Sequence, residues 1–186
     1  MNIAYILSST PNDTFYEQTV ISVMTLRNVM PNANVYILVD EDTKATFTEK
    51  RTLLEKYNVN IVTVGVPKEF NNRDRSRFIK TSMNRYLPKD FIYIDIDTII
   101  CDSLETIPTN YDVGMVLNRH MKTSESPVKE FFEKNAKDLG WHHSFDDKHF
   151  NSGFMSVRGS EKSDALFKLW HELWQESRLK TNGTVF

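Results

Sequence analysis

Within the first 66 residues, three short apolar runs rich in β-branched residues alternate with longer segments of helical periodicity: NIAYIL (residues 2–7), NVYILVD (residues 34–40) and NIVTVGV (residues 60–66). Runs of this length without polar alternation are strands buried on both faces, and strands separated by helices pair as parallel neighbours through right-handed crossovers. The expected fold class is therefore α/β, a doubly wound, mostly parallel sheet flanked by helices. The first helix follows the turn-forming SSTPND and places Tyr16, Val20, Val23, Met24 and Leu26 on one face. A second is expected over residues 43–57, with Phe47, Leu53 and Leu54 inward. A third lies in NNRDRSRFIKTSMNRYLP, where Phe78, Ile79, Met83, Tyr86 and Leu87 are apolar and Pro88 ends the helix. Then come a fourth strand in FIYID, a fifth in VGMVL (residues 113–117), a helix in PVKEFFEKNAKDLGW, a sixth strand in FNSGFMSVR and a closing helix in SEKSDALFKLWHELWQES. In the closing helix Leu166, Phe167, Leu169, Trp170, Leu173 and Trp174 form a stripe expected in the core. No repeat or linker interrupts the 186 residues, which read as one domain.

Composition narrows the partners. The chain is 40% hydrophobic and 26% charged with a formal net charge of -2, which argues against nucleic acid or an anionic membrane as a partner. No apolar run approaches the ~20 residues of a membrane helix, and no targeting leader is expected. Cys101 is the single cysteine, so no internal disulfide forms; a reducing, cytoplasmic location is expected, with Cys101 as a small buried side chain.

The run FIYIDIDTIICDSL (residues 91–104) sets Asp95 and Asp97 one residue apart within an apolar, β-branched context. Side chains two apart on a strand share a face, and the carboxyl ends of strands are where open α/β sheets bind ligands. Two carboxylates this close raise each other's pKa unless a cation lies between them. A Mg²⁺ or Mn²⁺ site is the functional expectation; the alternative is that one aspartate caps a turn and the other faces solvent.

A DxD pair ending a buried strand after a βαβαβ start resembles the nucleotide-sugar-binding half of a GT-A (Rossmann-like) glycosyltransferase, specifically the retaining family-eight group of glycogenin and bacterial galactosyltransferases. The resemblance extends to SSTPND followed by Tyr16, to the helix carrying Lys80, and to FNSGFM at residues 150–155, and so covers nearly the whole chain. It implies a metal-dependent glycosyltransferase of hexosyltransferase type that moves a sugar, with retention, from a nucleotide-diphosphate sugar, a UDP-sugar, to an acceptor glycan, protein or lipid. Residue by residue, Ser9, Thr10 and Asn12 would hold base and ribose, with Tyr16 stacking on the base. Lys80 would meet the diphosphate or sugar, with Arg73, Arg75, Arg77 and Arg85 nearby as substitutes. Asp95 and Asp97, with Ile96 between them, would bind Mn²⁺ or Mg²⁺. Asn151 would hydrogen-bond the donor sugar, and Gly153 would let backbone approach closely.

Family members usually continue with an Asp-Gln motif and a later histidine that ligates the metal, whereas this chain ends at TNGTVF, before both. His171, inside the closing helix, does not match that histidine. His120, His142, His143 and His149 fall in a polar segment expected to form surface or lid, without zinc-type spacing. Two other readings stay open. DIDTIICDS also resembles the nucleophile loop of haloacid-dehalogenase-type phosphatases, with Asp146 and Asp147 as their later acidic pair. The same fold could also serve as a catalytically inactive nucleotide-sugar-binding domain. Self-association is left open.

Overall fold

The computed structural model describes residues 1–48, 51–142 and 148–183, with backbone alone at 119–121. Its six-stranded sheet has the order β3-β2-β1-β4-β6-β5. β1 (Asn2–Leu7) pairs in parallel with β2 (Asn34–Val39) on one side and β4 (Phe91–Ile94) on the other, and β3 (Val59–Thr63) extends the parallel set beyond β2. β6 (Lys148–Val157) runs antiparallel to both β4 and β5 (Val113–Lys122). The order reverses direction between β1 and β4, so the crevice outside the carboxyl ends of these two strands is the topological switch point.

Strand alternation divides the core. Ile3, Tyr5 and Leu7 of β1 face helix α1 (Phe15–Val29) together with Val35, Ile37, Val39, Ile92 and Ile94. The opposite face buries Ala4, Ile6, Leu38, Phe91 and Tyr93 beneath Ile79 of helix α3 (Asn72–Ser82), Met83 just after it, and Phe167 of helix α5 (Glu161–Thr181). β4 is buried at all four positions, as a strand covered on both faces must be. α3 and α5 are joined by polar as well as apolar contacts. Arg178 Nε donates to Asp74 Oδ2 at 2.8 Å, and the His171 ring is bracketed by Thr81 Oγ1 and Gln175 Nε2, each at 2.7 Å. Burial lowers the His171 pKa, with Arg85 pushing the same way.

Several sequence expectations are corrected. The helix expected over residues 43–57 is a short α2 (Glu41–Ala45) and, separately, a 3-10 turn at Leu53–Tyr57. Asp40 starts α2 early by accepting from the Thr43 N–H, the Thr46 N–H then bonds back to the Thr43 carbonyl, and Asn58 in a left-handed conformation stops the 3-10 turn. Leu53 is exposed, whereas Leu54 is buried and Phe47 packs half-buried against the same core. Met24 and Tyr86 lie at the surface, as do Leu166 and Leu169 of the closing helix, whose buried members are Phe167 and Trp174. Cys101 is exposed rather than buried, because the chain has left the sheet seven residues earlier, at Ile94. The helix expected in PVKEFFEKNAKDLGW is present as α4 (Lys129–Leu139), but the β5 and β6 on either side of it each run longer than expected. His143, Asp146 and Asp147, with the side chain of His120, lie outside the described residues.

Candidate active site

A cleft of about 510 Å³ opens at the switch point, floored by Ile6, Ser8 and Tyr93 and walled by Phe15 and Gln18 of α1, by α3 and by the turn after β4. Asp95 and Asp97 do not sit within the buried strand. They follow its last residue: the Asp95 N–H makes a final rung to the Gly153 carbonyl at 2.8 Å, and Thr98 Oγ1 donates to the Asp95 carbonyl at 2.7 Å to close the turn. The turn spares both carboxylates the cost of burial, leaving Asp95 half-buried and Asp97 exposed on the cleft wall.

Asp95 is held firmly on one oxygen. Its Oδ1 accepts from Lys80 Nζ at 2.9 Å and from the buried Tyr93 hydroxyl, and Lys80 Nζ also stands 4.8 Å from the centre of the Tyr93 ring. Oδ2 and the Asp97 carboxylate take no hydrogen bond from any described residue. Burial lowers the Lys80 pKa against the pull of Asp95. Burial and the neighbouring Asp95 carboxylate raise that of Tyr93 well above its ordinary value, so the phenol is a permanent donor.

The FNSG stretch of β6 comes against the same carboxylate. A side chain on Gly153 would put its Cβ 2.7 Å from Asp95 Oδ2 and 2.9 Å from Asn151 Oδ1, so only glycine leaves this approach open. The Gly153 N–H donates to Asn151 Oδ1 at 2.6 Å, which leaves the amide nitrogen of the exposed Asn151 side chain directed elsewhere. Ile96, between the aspartates, lines the cleft while packing on the core beneath.

Of the arginines near Lys80, Arg73 and Arg77 share its cleft wall. The spacing of 73, 77 and 80 is the signal, since positions four and three apart stack on one helical face. Arg75 points away and pairs with Asp40 and Asp42, and Arg85 lies toward His171. Burial lowers the Arg77 pKa, with the Arg73 charge adding to the effect. Three side-chain cations and two carboxylates thus line the cleft, with Lys80 already bonded to Asp95.

The loop after β1 is differently built. Ser9 is buried, its hydroxyl donating to Asp13 Oδ1 at 2.6 Å, while the Thr10 N–H and hydroxyl both reach Asp13 Oδ2. Arg51, unnoticed in the sequence, is buried over this loop and donates to Ser9 Oγ, the Thr10 carbonyl and the Asp13 carbonyl. Of the residues expected to hold base and ribose, Ser9 and Thr10 are therefore engaged within the loop, and Asn12 is exposed outside the cleft lining. Tyr16 is not a platform as it stands. Only 1% of it is exposed, Phe47 and Arg51 cover the ring, and its hydroxyl accepts from the Leu54 N–H at 3.2 Å. The aromatic that opens on the cleft is the preceding Phe15, 40% exposed.

The donor set suits a hard divalent cation. Two carboxylates beside a basic wall supply oxygen ligands without forming a full protein cage, the arrangement in which Mg²⁺ or Mn²⁺ is completed by water and substrate phosphate. Among the described residues no group of three or more His, Cys, Asp or Glu side chains could hold a metal. Among them, too, no helix is long and apolar enough to cross a membrane.

No protein-family model and no curated protein sequence matches this chain. Solved structures do. The galactosyltransferase LgtC, in complex with donor and acceptor sugar analogues, superposes with a TM-score of 0.60 at 16% identity, over 100% of this chain and 70% of LgtC. The glycosyltransferase GlyE of Streptococcus pneumoniae TIGR4 gives 0.54 at 12% identity, over 100% of this chain and 40% of GlyE. The mannosyltransferase Ktr4p of S. cerevisiae gives 0.53 at 15% identity, over 95% of this chain and 61% of Ktr4p. At these identities the likeness defines the fold, the GT-A type of α/β architecture that these sugar-transferring enzymes share.

Proposed function

We propose that the chain is the nucleotide-sugar-binding and catalytic core of a metal-dependent glycosyltransferase, of hexosyltransferase type, taking its sugar from a nucleoside diphosphate sugar, a UDP-sugar, and passing it to an acceptor hydroxyl with retention. The observation that carries this reading is the meeting at one switch-point cleft of the Asp95–Asp97 turn and the Arg73–Arg77–Lys80 face, with Gly153 of β6 packed against the Asp95 carboxylate. Fold likeness to known glycosyltransferases adds to it. A nucleotide-sugar-binding domain without transfer is the reading left if binding is found and turnover is not.

Each group has a task that its chemistry suits. Breaking the bond between the sugar and the diphosphate builds negative charge on the leaving phosphate, which cations placed in advance on α3 stabilise. Asp95 and Asp97 would hold Mn²⁺ or Mg²⁺, which when bound supplies Lewis-acid stabilisation of that phosphate. The Asn151 amide nitrogen would hydrogen-bond sugar hydroxyls, and Gly153, without a Cβ, leaves the Asp95 carboxylate and the Asn151 amide unobstructed. Phe15 takes over from Tyr16 as the surface on which the base stacks.

A panel of nucleotide sugars screened for Mn²⁺-dependent thermal stabilisation tests the proposal. A ligand at 100 times its dissociation constant adds about 2.7 kcal/mol, so the true donor stands out from the panel. Stabilisation by no nucleotide sugar, or hydrolysis of a generic aryl phosphate that Asp95→Asn abolishes, would replace this reading with the phosphatase one.

A further inference from the structure

Lys80 does more than line the phosphate wall. Its ammonium is 2.9 Å from Asp95 Oδ1 and 4.8 Å from the Tyr93 ring centre, with only 15% of the side chain exposed, so it already serves Asp95 as a built-in counter-cation. The Tyr93 hydroxyl bonds the same oxygen, and together the two donors fix the carboxylate's orientation. Arg73 and Arg77 add further positive charge to the wall, so cations outnumber carboxylates around the cleft.

We propose that Lys80 is an internal cation that makes divalent-metal binding at Asp95 and Asp97 conditional on the nucleotide. This rests on the nucleotide-sugar reading above. A lone dication meets an aspartate already neutralised and a wall of like charge, and Coulomb repulsion at a few ångströms in a partly desolvated cleft is large enough to decide affinity. A nucleoside diphosphate brings several negative charges to α3, reverses the local sign and offers Lys80 a second anionic partner. The Asp95 carboxylate then becomes available to the metal in the same event. Donor and metal bind as a pair, and the cleft discriminates against free metal.

Calorimetric titration of Mn²⁺ alone, of uridine diphosphate alone and of Mn²⁺ with saturating uridine diphosphate tests this on the wild-type chain and on Lys80→Met and Lys80→Arg. The wild type should bind Mn²⁺ alone weakly and much more tightly with uridine diphosphate. Lys80→Met should bind Mn²⁺ alone roughly five- to tenfold more tightly than the wild type and uridine diphosphate alone more weakly, while Lys80→Arg, which keeps the charge, stays near the wild type. Circular dichroism confirms folding, and Lys80→Gln serves if the methionine variant does not fold. Mn²⁺ binding by the neutral variant no tighter than by the wild type, alongside wild-type synergy, overturns the gating role and leaves the nucleotide reading standing. Absence of any synergy in the wild type removes both.

Discussion

The loop after β1 and the turn after β4 leave the same edge of the sheet from adjacent parallel strands, and both carry aspartates among hydroxyl-bearing residues, yet they treat their carboxylates in opposite ways. Asp13 accepts from the Ser9 hydroxyl, the Thr10 N–H and hydroxyl, and the Phe15 N–H. Burial alone would raise its pKa, but those donors outweigh it and hold the carboxyl below its ordinary value. Asp97, on the neighbouring turn, takes no bond from any described residue, and Asp95 is held by one oxygen only. A carboxylate whose donors come from its own loop is finished structure. One left with open oxygens beside a basic wall still has acceptors to offer a ligand.

Substitutions in the first loop should therefore damage stability, and those in the second should damage binding. The largest loss of stability is expected for Arg51→Met, which removes the buried guanidinium that ties Ser9, Thr10 and Asp13 together and strands their acceptors; about 3 kcal/mol should be lost in chemical denaturation. Asp13→Asn should cost about 2 kcal/mol at neutral pH. Because the folded Asp13 pKa lies below the unfolded value of about 3.9, its contribution is complete above that pH and fades as pH falls through the folded pKa; the gap between wild type and Asp13→Asn should therefore close in acid.

Smaller stability changes should carry the binding effects. Gly153→Ala meets only the ends of two side chains, so the fold should tolerate it, but the Asp95 carboxylate must turn away, and Mn²⁺-dependent nucleotide-sugar affinity should fall at least about tenfold. Phe15→Ala should weaken the nucleotide by about 1–3 kcal/mol, in the range of base–aromatic stacking, with little effect on stability or metal dependence. Undiminished nucleotide affinity in Phe15→Ala would instead return the platform to Tyr16.

Much of this contrast was legible in the residues. The parallel start follows from the apolar runs at residues 2–7, 34–40 and 60–66, although the third forms β3 (Val59–Thr63) at the sheet edge, where none of its residues is fully buried. The structure brings Asp95, Lys80 and Gly153 side by side: Asp95 follows the last residue of β4, Lys80 lies in the last turn of α3, and Gly153 lies within β6. Tyr16 shows where local pattern misleads. It lies on the same helical stripe as Val20 and Val23, and a residue on the core-facing stripe is committed to the core. Its neighbour Phe15, one position out of phase, is free for the cleft. Arg51 was invisible because its partners lie about 40 residues away in sequence and only the fold joins them. The aspartates' escape from the strand could not be read either, since it depends on a rung to Gly153 across the sheet.

Asp97→Asn is the most direct test of the central claim, because this exposed carboxylate has no described structural partner and its loss should leave the melting temperature nearly unchanged. Measured by calorimetry with Mn²⁺ and the nucleotide sugar selected by the thermal screen, the variant should lose metal-dependent binding while folding as the wild type does. Undiminished Mn²⁺-dependent binding by Asp97→Asn, and by Asp95→Asn beside it, would contradict the assignment of this turn as the metal and diphosphate site.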